Sequence, residues 1–223
     1  ITSRLRSKGF DTTLIEKHGD LGGRARTFLH NNYKYDAGPT VITAPYLIDE
    51  LFSIHSEKLS DYVNLLPVKP WYRFLFENGE YLDYGDKLST TVKEIKLKYG
   101  YENASSYLKL VKHSKRIFNK AFIELSEEPF ESLGSMVKHL PELIRTRFDR
   151  SVYQAVDKYI GNKNLNQALS MHPLLVGGNP YSTTSIYLLI QYLEWKWGVF
   201  YAEGGTGKIV DGLEKLLLNK DVE

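Results

Sequence analysis

The sequence predicts a mixed α/β fold: an incomplete strand–helix–strand unit, then a β-hairpin, then a long helical insertion. Three observations carry this expectation. A short β-branched and apolar run at Asp11–Glu16 directly follows what reads as the end of a helix. An Asn78-Gly79 pair lies between two apolar runs. From Val92 to Trp197 apolar residues recur at helical spacing.

The 223 residues suffice for one large domain or two small ones, and 42% hydrophobic with 25% charged residues is ordinary globular composition. A net charge of +2, with Lys and Arg scattered rather than striped, argues against nucleic acid as a partner. Zero cysteines exclude a disulfide scaffold, a thiolate zinc site and a Cys nucleophile, and fit a reducing, cytoplasmic setting. The longest apolar stretch, Ile186–Tyr201, is broken by Gln191, Glu194 and Lys196 and falls short of the roughly 20 residues that span a bilayer.

In chain order, Thr2–Gly9 reads as the tail of a helix reaching its glycine C-cap. Asp11–Glu16 suits the second strand of a βαβ unit, whose first strand and G-x-G-x-x-G loop do not precede it here. Glu16, followed by Lys17, stands at the strand end, where a carboxylate accepts hydrogen bonds from ribose hydroxyls. Alone it reads as a solvated carboxylate; six residues before Gly22-Gly23-Arg24-Ala25 it becomes a ligand. The glycines let backbone approach a pyrophosphate, and Arg24 neutralises it. Asp36-Ala37-Gly38-Pro39-Thr40 fits an ordinary tight turn or a backbone passing close to a flat flavin ring, and the pentapeptide does not distinguish the two.

A short helix with Leu47, Ile48, Leu51 and Phe52 on one side is expected after Pro45. Trp71–Phe76 and Glu80–Tyr84 form the hairpin. In the helical stretch, Val111, Phe118 and Leu125 keep heptad spacing with Tyr107 and Phe122 on the same face, and Val152, Val156 and Ile160 continue it. Another helix runs from an N-cap at Ser182 or Thr183 to Trp197. Basic residues including Lys138, Arg145, Arg147 and Arg150 edge an amphipathic segment suited to membrane contact or to an ordinary surface helix. The six histidines show no H-x-x-x-H or H-E-x-x-H pairing, so no metal site is read; His172 reads as a buried core residue. Ala202–Lys208 is not a phosphate-binding P-loop, because Ala202 and Ile209 stand where Gly and Ser or Thr are needed. Its Gly204-Gly205-Thr206-Gly207 instead opens a closely packed final helix, Lys208–Leu218, and Asn219–Glu223 reads as a turn into a further strand.

These residues resemble the bacterial and fungal type phytoene desaturases of carotenoid biosynthesis, within the FAD-dependent amine-oxidase-like superfamily. The specific stretches are Gly22–Ala25, Asp36–Thr43, Leu65–Pro70, Arg150–Tyr153, His172–Pro180, Ser185–Tyr187, and Trp197–Val199 with Gly204–Gly207. The resemblance implies a Rossmann-like FAD domain, a hydrophobic C40 polyene substrate and a helical region resting peripherally on a membrane. It implies hydride loss to flavin N5 with proton loss, a new conjugated C=C, and a quinone or oxygen as electron acceptor. Glu16, Lys17 and Gly22–Ala25 would hold the adenosine and pyrophosphate end, and Gly38, Pro39 and Thr40 would lie nearer the flavin. Relatives place an Arg-Asp pair where this chain has Leu133-Gly134-Ser135, which leaves Lys138, Arg147 and Arg150 as candidates for proton transfer.

The expected division is an FAD-binding segment at 1–62, substrate-domain strands at 63–95, a helical substrate and membrane region at 96–197 and a return to the FAD or substrate domain at 198–223. The chain reads as an internal piece of a longer protein, inactive by itself. Another carotenoid desaturase or isomerase of this scaffold, and a non-catalytic prenyl-lipid-binding protein like the GDP dissociation inhibitors, are the alternatives.

Overall fold

The structure, a computed structural model, describes residues 1–124 and 148–223. Two compact units are present, one of Ile1–Val68 with Trp197–Glu223 and one of Lys69–Lys196. In chain order the named elements are α1 (Thr2–Ser7), β1 (Thr27–His30), β2 (Tyr33–Asp36), α2 (Pro45–Ser53), β3 (Leu65–Pro67), β4 (Tyr72–Leu75), β5 (Tyr81–Tyr84), α3 (Leu88–Phe118), α4 (Val152–Asp157), α5 (Lys163–Leu169), α6 (Leu189–Trp197), β6 (Phe200–Ala202) and α7 (Gly207–Leu218). Helix and strand are mixed as expected.

In the first unit α1 ends at its glycine signal: Gly9 takes φ +84, and the Gly9 and Phe10 N–H groups return to the Arg6 and Leu5 carbonyls. Asp11–Glu16 corrects the sequence reading, because it forms no strand. Its β-branched residues favour an extended chain, but a strand exists only through a ladder, and the Leu14 N–H donates to the Glu223 carbonyl alone. A hairpin the sequence reading missed follows: β1 and β2 pair from Thr27↔Asp36 to His30↔Tyr33 around Asn31 (φ 49) and Asn32 (φ 64). Two consecutive positive φ values are the geometry of a tight primed turn, and asparagine tolerates them without a glycine.

Pro45 opens α2 at its first turn, as expected. Strand β3 pairs antiparallel with β6, Leu65 opposite Ala202, and Ile42 adds a bridge to Phe200. The core beneath them holds Ile42, Phe52, Leu59, Val63, Ala202 and Leu216, with Ile209 and Leu213 packed against it from α7. Ile209, Leu213 and Leu216 recur at helical spacing, so one stripe of α7 faces this core.

In the second unit β4 and β5 form the expected hairpin, with Gly79 at φ +81 in its turn. Helix α3 is broken at Gly100, and beyond it Ala104, Tyr107, Val111, Ser114 and Phe118 are buried on one stripe. Leu125 lies outside the described residues. A capping box between Ser151 and Gln154 starts α4, and Val152, Val156 and, just beyond the helix, Ile160 are buried in the expected pattern. The helix expected from Ser182 or Thr183 starts later, with a 3-10 turn at Ser185–Leu188 capped by Thr184 before α6. The reason is that Thr183 spends both backbone groups elsewhere: its N–H donates to Asn179 and its carbonyl accepts from Val152. Among the described residues no helix is long and apolar enough to cross a membrane.

Candidate functional site

The glycines of the first unit's cluster mark where neighbouring segments come close. Gly22, at φ +107, leads into a single 3-10 turn at Gly23–Ala25. A side chain at Gly22 would stand 2.9 Å from a Val210 methyl, so this turn rests on α7. Gly38 is pressed against the same turn. A Cβ there would lie 2.1 Å from the Arg24 carbonyl oxygen, and the neighbouring Ala37 N–H donates to the Arg26 carbonyl at 3.0 Å. Gly23 differs, because nothing lies within 4 Å of its missing side chain. An open glycine backbone beside the exposed Arg24 fits the approach of a phosphate group.

The third strand of chain in the cluster is the start of α7, and Asp36 ties it down. Its carboxylate accepts the Thr27 hydroxyl at 2.9 Å and the Thr206 N–H at 3.1 Å, while the Thr206 hydroxyl donates to the Pro39 carbonyl at 2.9 Å. A carboxylate at this position also meets the positive end of the helix. Gly205 and Gly207 permit the contact, since side chains there would fall 2.8 Å from Asp36 Oδ1 and 2.3 Å from Thr27 Oγ1. Gly204–Gly207 is therefore a helix start seated on the β1–β2 hairpin. Asp36→Ala leaves Thr27 and Thr206 without their acceptor, and a loss of about 2 kcal/mol is expected in chemical denaturation; an unchanged midpoint would remove Asp36 from this role.

Gly22, Gly23, Arg24, Ala25, Gly38 and Pro39 are brought together; Thr40 follows in the same exposed stretch. Glu16 and Lys17 belong to an exposed segment, where the His18 N–H donates to the Glu16 carboxylate at 3.0 Å and holds its pKa below the usual value. A cleft of about 260 Å³ adjoins the cluster, lined by Gly19, Arg26, Thr27 and Gly207 together with Asp20, Asp211 and Glu214. Three carboxylates against one guanidinium suit hydroxyl donors better than phosphate.

Of the proton-transfer candidates, Lys138 and Arg147 lie outside the described residues, as does most of the amphipathic basic segment. Arg150 sits in the turn before α4, half-buried, its carbonyl accepting the Ser185 N–H. The second unit holds instead a buried polar chain. Tyr72 donates to Glu194 Oε1 at 2.7 Å, and His172 Nε2 lies 3.1 Å from Glu194 Oε2, with His172 1% and Glu194 0% exposed. Burial and the Glu194 charge push the Tyr72 hydroxyl far above its usual range, and burial does the same to Tyr84. His172 is buried as expected, but it is not the fully satisfied core histidine the sequence suggests, because its Nδ1 meets no hydrogen-bond partner among the described residues. The role of Glu194 was missed, although a carboxylate that, with Gln191, interrupts the apolar stretch Ile186–Tyr201 was the signal for it.

The profile of the flavin containing amine oxidoreductase family matches residues 1–223. A phytoene desaturase (lycopene-forming) from Pseudescherichia vulneris is 40% identical over 213 residues, 96% of this chain and 43% of its own length. One of the same description from Pantoea ananas is 39% identical with the same coverage. The chain thus spans less than half the length of these curated relatives. A crystal structure of a Pyrococcus furiosus protein superposes with a TM-score of 0.57 over 99% of this chain and 46% of that one, at 16% identity, a likeness of fold alone.

Proposed function

This chain belongs to the flavin containing amine oxidoreductase family, and from that premise we propose that the protein carrying it is an FAD-dependent phytoene desaturase of carotenoid biosynthesis. The observation that supports this best is the agreement between the two similar desaturases and the glycine cluster, whose open Gly23 and exposed Arg24 suit a dinucleotide. In this reading the first unit is part of a Rossmann-like domain. Gly22, Gly23, Arg24 and Ala25 hold the pyrophosphate, Glu16 and Lys17 reach the adenosine ribose, and Gly38, Pro39 and Thr40 lie towards the ring. FAD supplies the two-electron acceptor for removal of a hydride as a proton is lost and a C=C forms.

The chain's own contribution is placement. A hydrocarbon substrate offers no polar handle, so its recognition rests on apolar and aromatic surface. Arg150, with Lys138 and Arg147, is a candidate for moving the proton. Such a substrate dissolves in membranes, so the protein works peripherally at a bilayer and hands electrons to a quinone or oxygen.

The test is expression of the intact protein in cells that accumulate phytoene. Pigment absorbance moves to longer wavelength as conjugation grows; unchanged phytoene beside a folded, flavin-loaded protein would defeat the substrate, and a folded protein without flavin the whole reading. Glu16→Leu is expected to bind FAD about tenfold more weakly, the worth of one charge-assisted hydrogen bond. Flavin retained at the wild-type level on dilution would exclude Glu16.

A further inference from the structure

We propose that the second unit binds an uncharged, elongated apolar chain in the surface cleft beside α4 and α5, and that Glu194 is the positioning residue that sets one wall of it through His172. The proposal rests on the reading above for the reaction but carries its own evidence for the binding. The cleft measures about 630 Å³, within the range of about 300–1,000 Å³ typical of small-molecule sites. Its lining includes Tyr153, Met171, Leu174, Gly178, Pro180 and Tyr181. None of the lining residues is charged, whereas 25% of the chain is. A phosphate or an ammonium would find no countercharge there, while a hydrocarbon gains contact with the apolar and aromatic side chains; of the polar lining residues, the Ser170 hydroxyl already donates to Asn166, Asn179 Oδ1 already accepts the Tyr181 N–H, and Gln167 is exposed to water. Leu174 and Tyr181 stand 62% and 59% exposed beside it, and the Tyr153 and Tyr181 rings lie 4.6 Å apart, so apolar surface of this unit awaits cover.

The wall at residues 171–181 is held at both ends. At one, the Tyr153 N–H donates to the Pro180 carbonyl and the Val152 N–H to the Thr183 carbonyl, fastening the loop to α4. At the other, His172 turns inward from the 3-10 turn that also presents Leu174. Its Nε2 meets Glu194, whose second oxygen takes the Tyr72 hydroxyl, so the chain of three fixes the rotation of that turn. Burying a carboxylate is costly, and apolar side chains of equal volume would hold the turn as stably. What the polar chain adds is direction: Glu194 accepts from one position of His172, and Met171 and Leu174 are placed with it.

The experiment uses the intact protein and a squalene analogue carrying a photoreactive diazirine, a neutral isoprenoid hydrocarbon, with labelled peptides mapped by mass spectrometry. Labelling is expected within 153–181. Leu174→Lys, at an exposed position that folding does not depend on, is expected to reduce it about tenfold. Glu194→Leu is expected to weaken labelling about tenfold and to raise KM for phytoene with little change in kcat or flavin content, and Glu194→Gln, which still accepts from His172, to restore labelling to within about twofold. Absence of labelling within 153–181, or a Leu174→Lys protein labelled as wild type, would overturn the cleft. A folded Glu194→Leu protein that labels and turns over normally would overturn the positioning role, and if that variant does not fold, His172→Phe, which keeps a ring but has no group to offer Glu194, replaces it in the same comparison. Labelling of the cleft by a protein that leaves phytoene untouched sinks the desaturase reading and spares this one; turnover without cleft labelling does the reverse.

Discussion

Gly38→Ala is expected to yield a protein that has lost most of its flavin. The backbone of Gly38 needs no special φ, so alanine is not excluded by conformation. Space decides the matter. A methyl group there would lie 2.1 Å from the Arg24 carbonyl oxygen and 3.1 Å from its carbon, both backbone atoms that cannot rotate aside. Relief requires the Gly22–Ala25 turn to move, and overpacking of this kind costs about 1–3 kcal/mol. If that strain falls on the bound geometry, 3 kcal/mol is roughly a hundredfold in affinity. The ratio of flavin absorbance to protein after dilution and gel filtration measures it. Gly161→Ala, with nothing within 4 Å of the new methyl, is the control expected to behave as wild type. A Gly38→Ala protein that keeps its flavin would detach this stacked turn from cofactor binding.

The elements that were legible in the sequence are those whose cause is local. Asn78-Gly79 makes its own turn, Pro45 starts its own helix, Gly9 stops one, and the stripe of Ile209, Leu213 and Leu216 declares the face of α7. What was not legible depends on residues far away in the chain. Asp11–Glu16 has strand composition, yet without a flanking ladder its backbone stays irregular. The pairing of Leu65 with Ala202 leaves no trace in either tripeptide. The Asn31–Asn32 hairpin was local but disguised, because most of its side chains on both faces are exposed and no alternation of burial marks it. In the candidate site, the glycines were readable as places where backbone comes close, but what comes close was not. Gly205 and Gly207 make room for Asp36 and Thr27, a meeting across some 170 residues that only the fold arranges.

Phe52→Ala is expected to be the most destabilising single truncation in the first unit, and its effect should reach the glycine cluster. The ring is 0% exposed, lies 5.0 Å from that of Tyr62 and belongs to the core formed with Ile42, Leu59, Val63, Ala202 and Leu216. Those partners come from residues 42–63 and from 202–216, so one side chain helps join two distant stretches of sequence. Truncating a buried phenylalanine costs about 3–5 kcal/mol, a large share of the roughly 5–15 kcal/mol that holds a domain folded. Gly212 lets α7 come close to Tyr62, Val63 and Phe52, so the cavity would open beneath the helix whose start is tied to Asp36. Amide exchange in α2 and α7 should therefore accelerate roughly a hundredfold or more, with the β4–β5 hairpin as internal reference. Phe52→Leu keeps much of the volume and should cost less than half as much. If α7 exchanges faster in step with α2 and flavin is lost in the same order, Leu after wild type and Ala last, the core and the cluster are one cooperative structure. If α2 loosens while α7 and flavin content stay as in wild type, the Asp36 tie alone supports the cluster, and the Phe52 ring serves only its immediate neighbours.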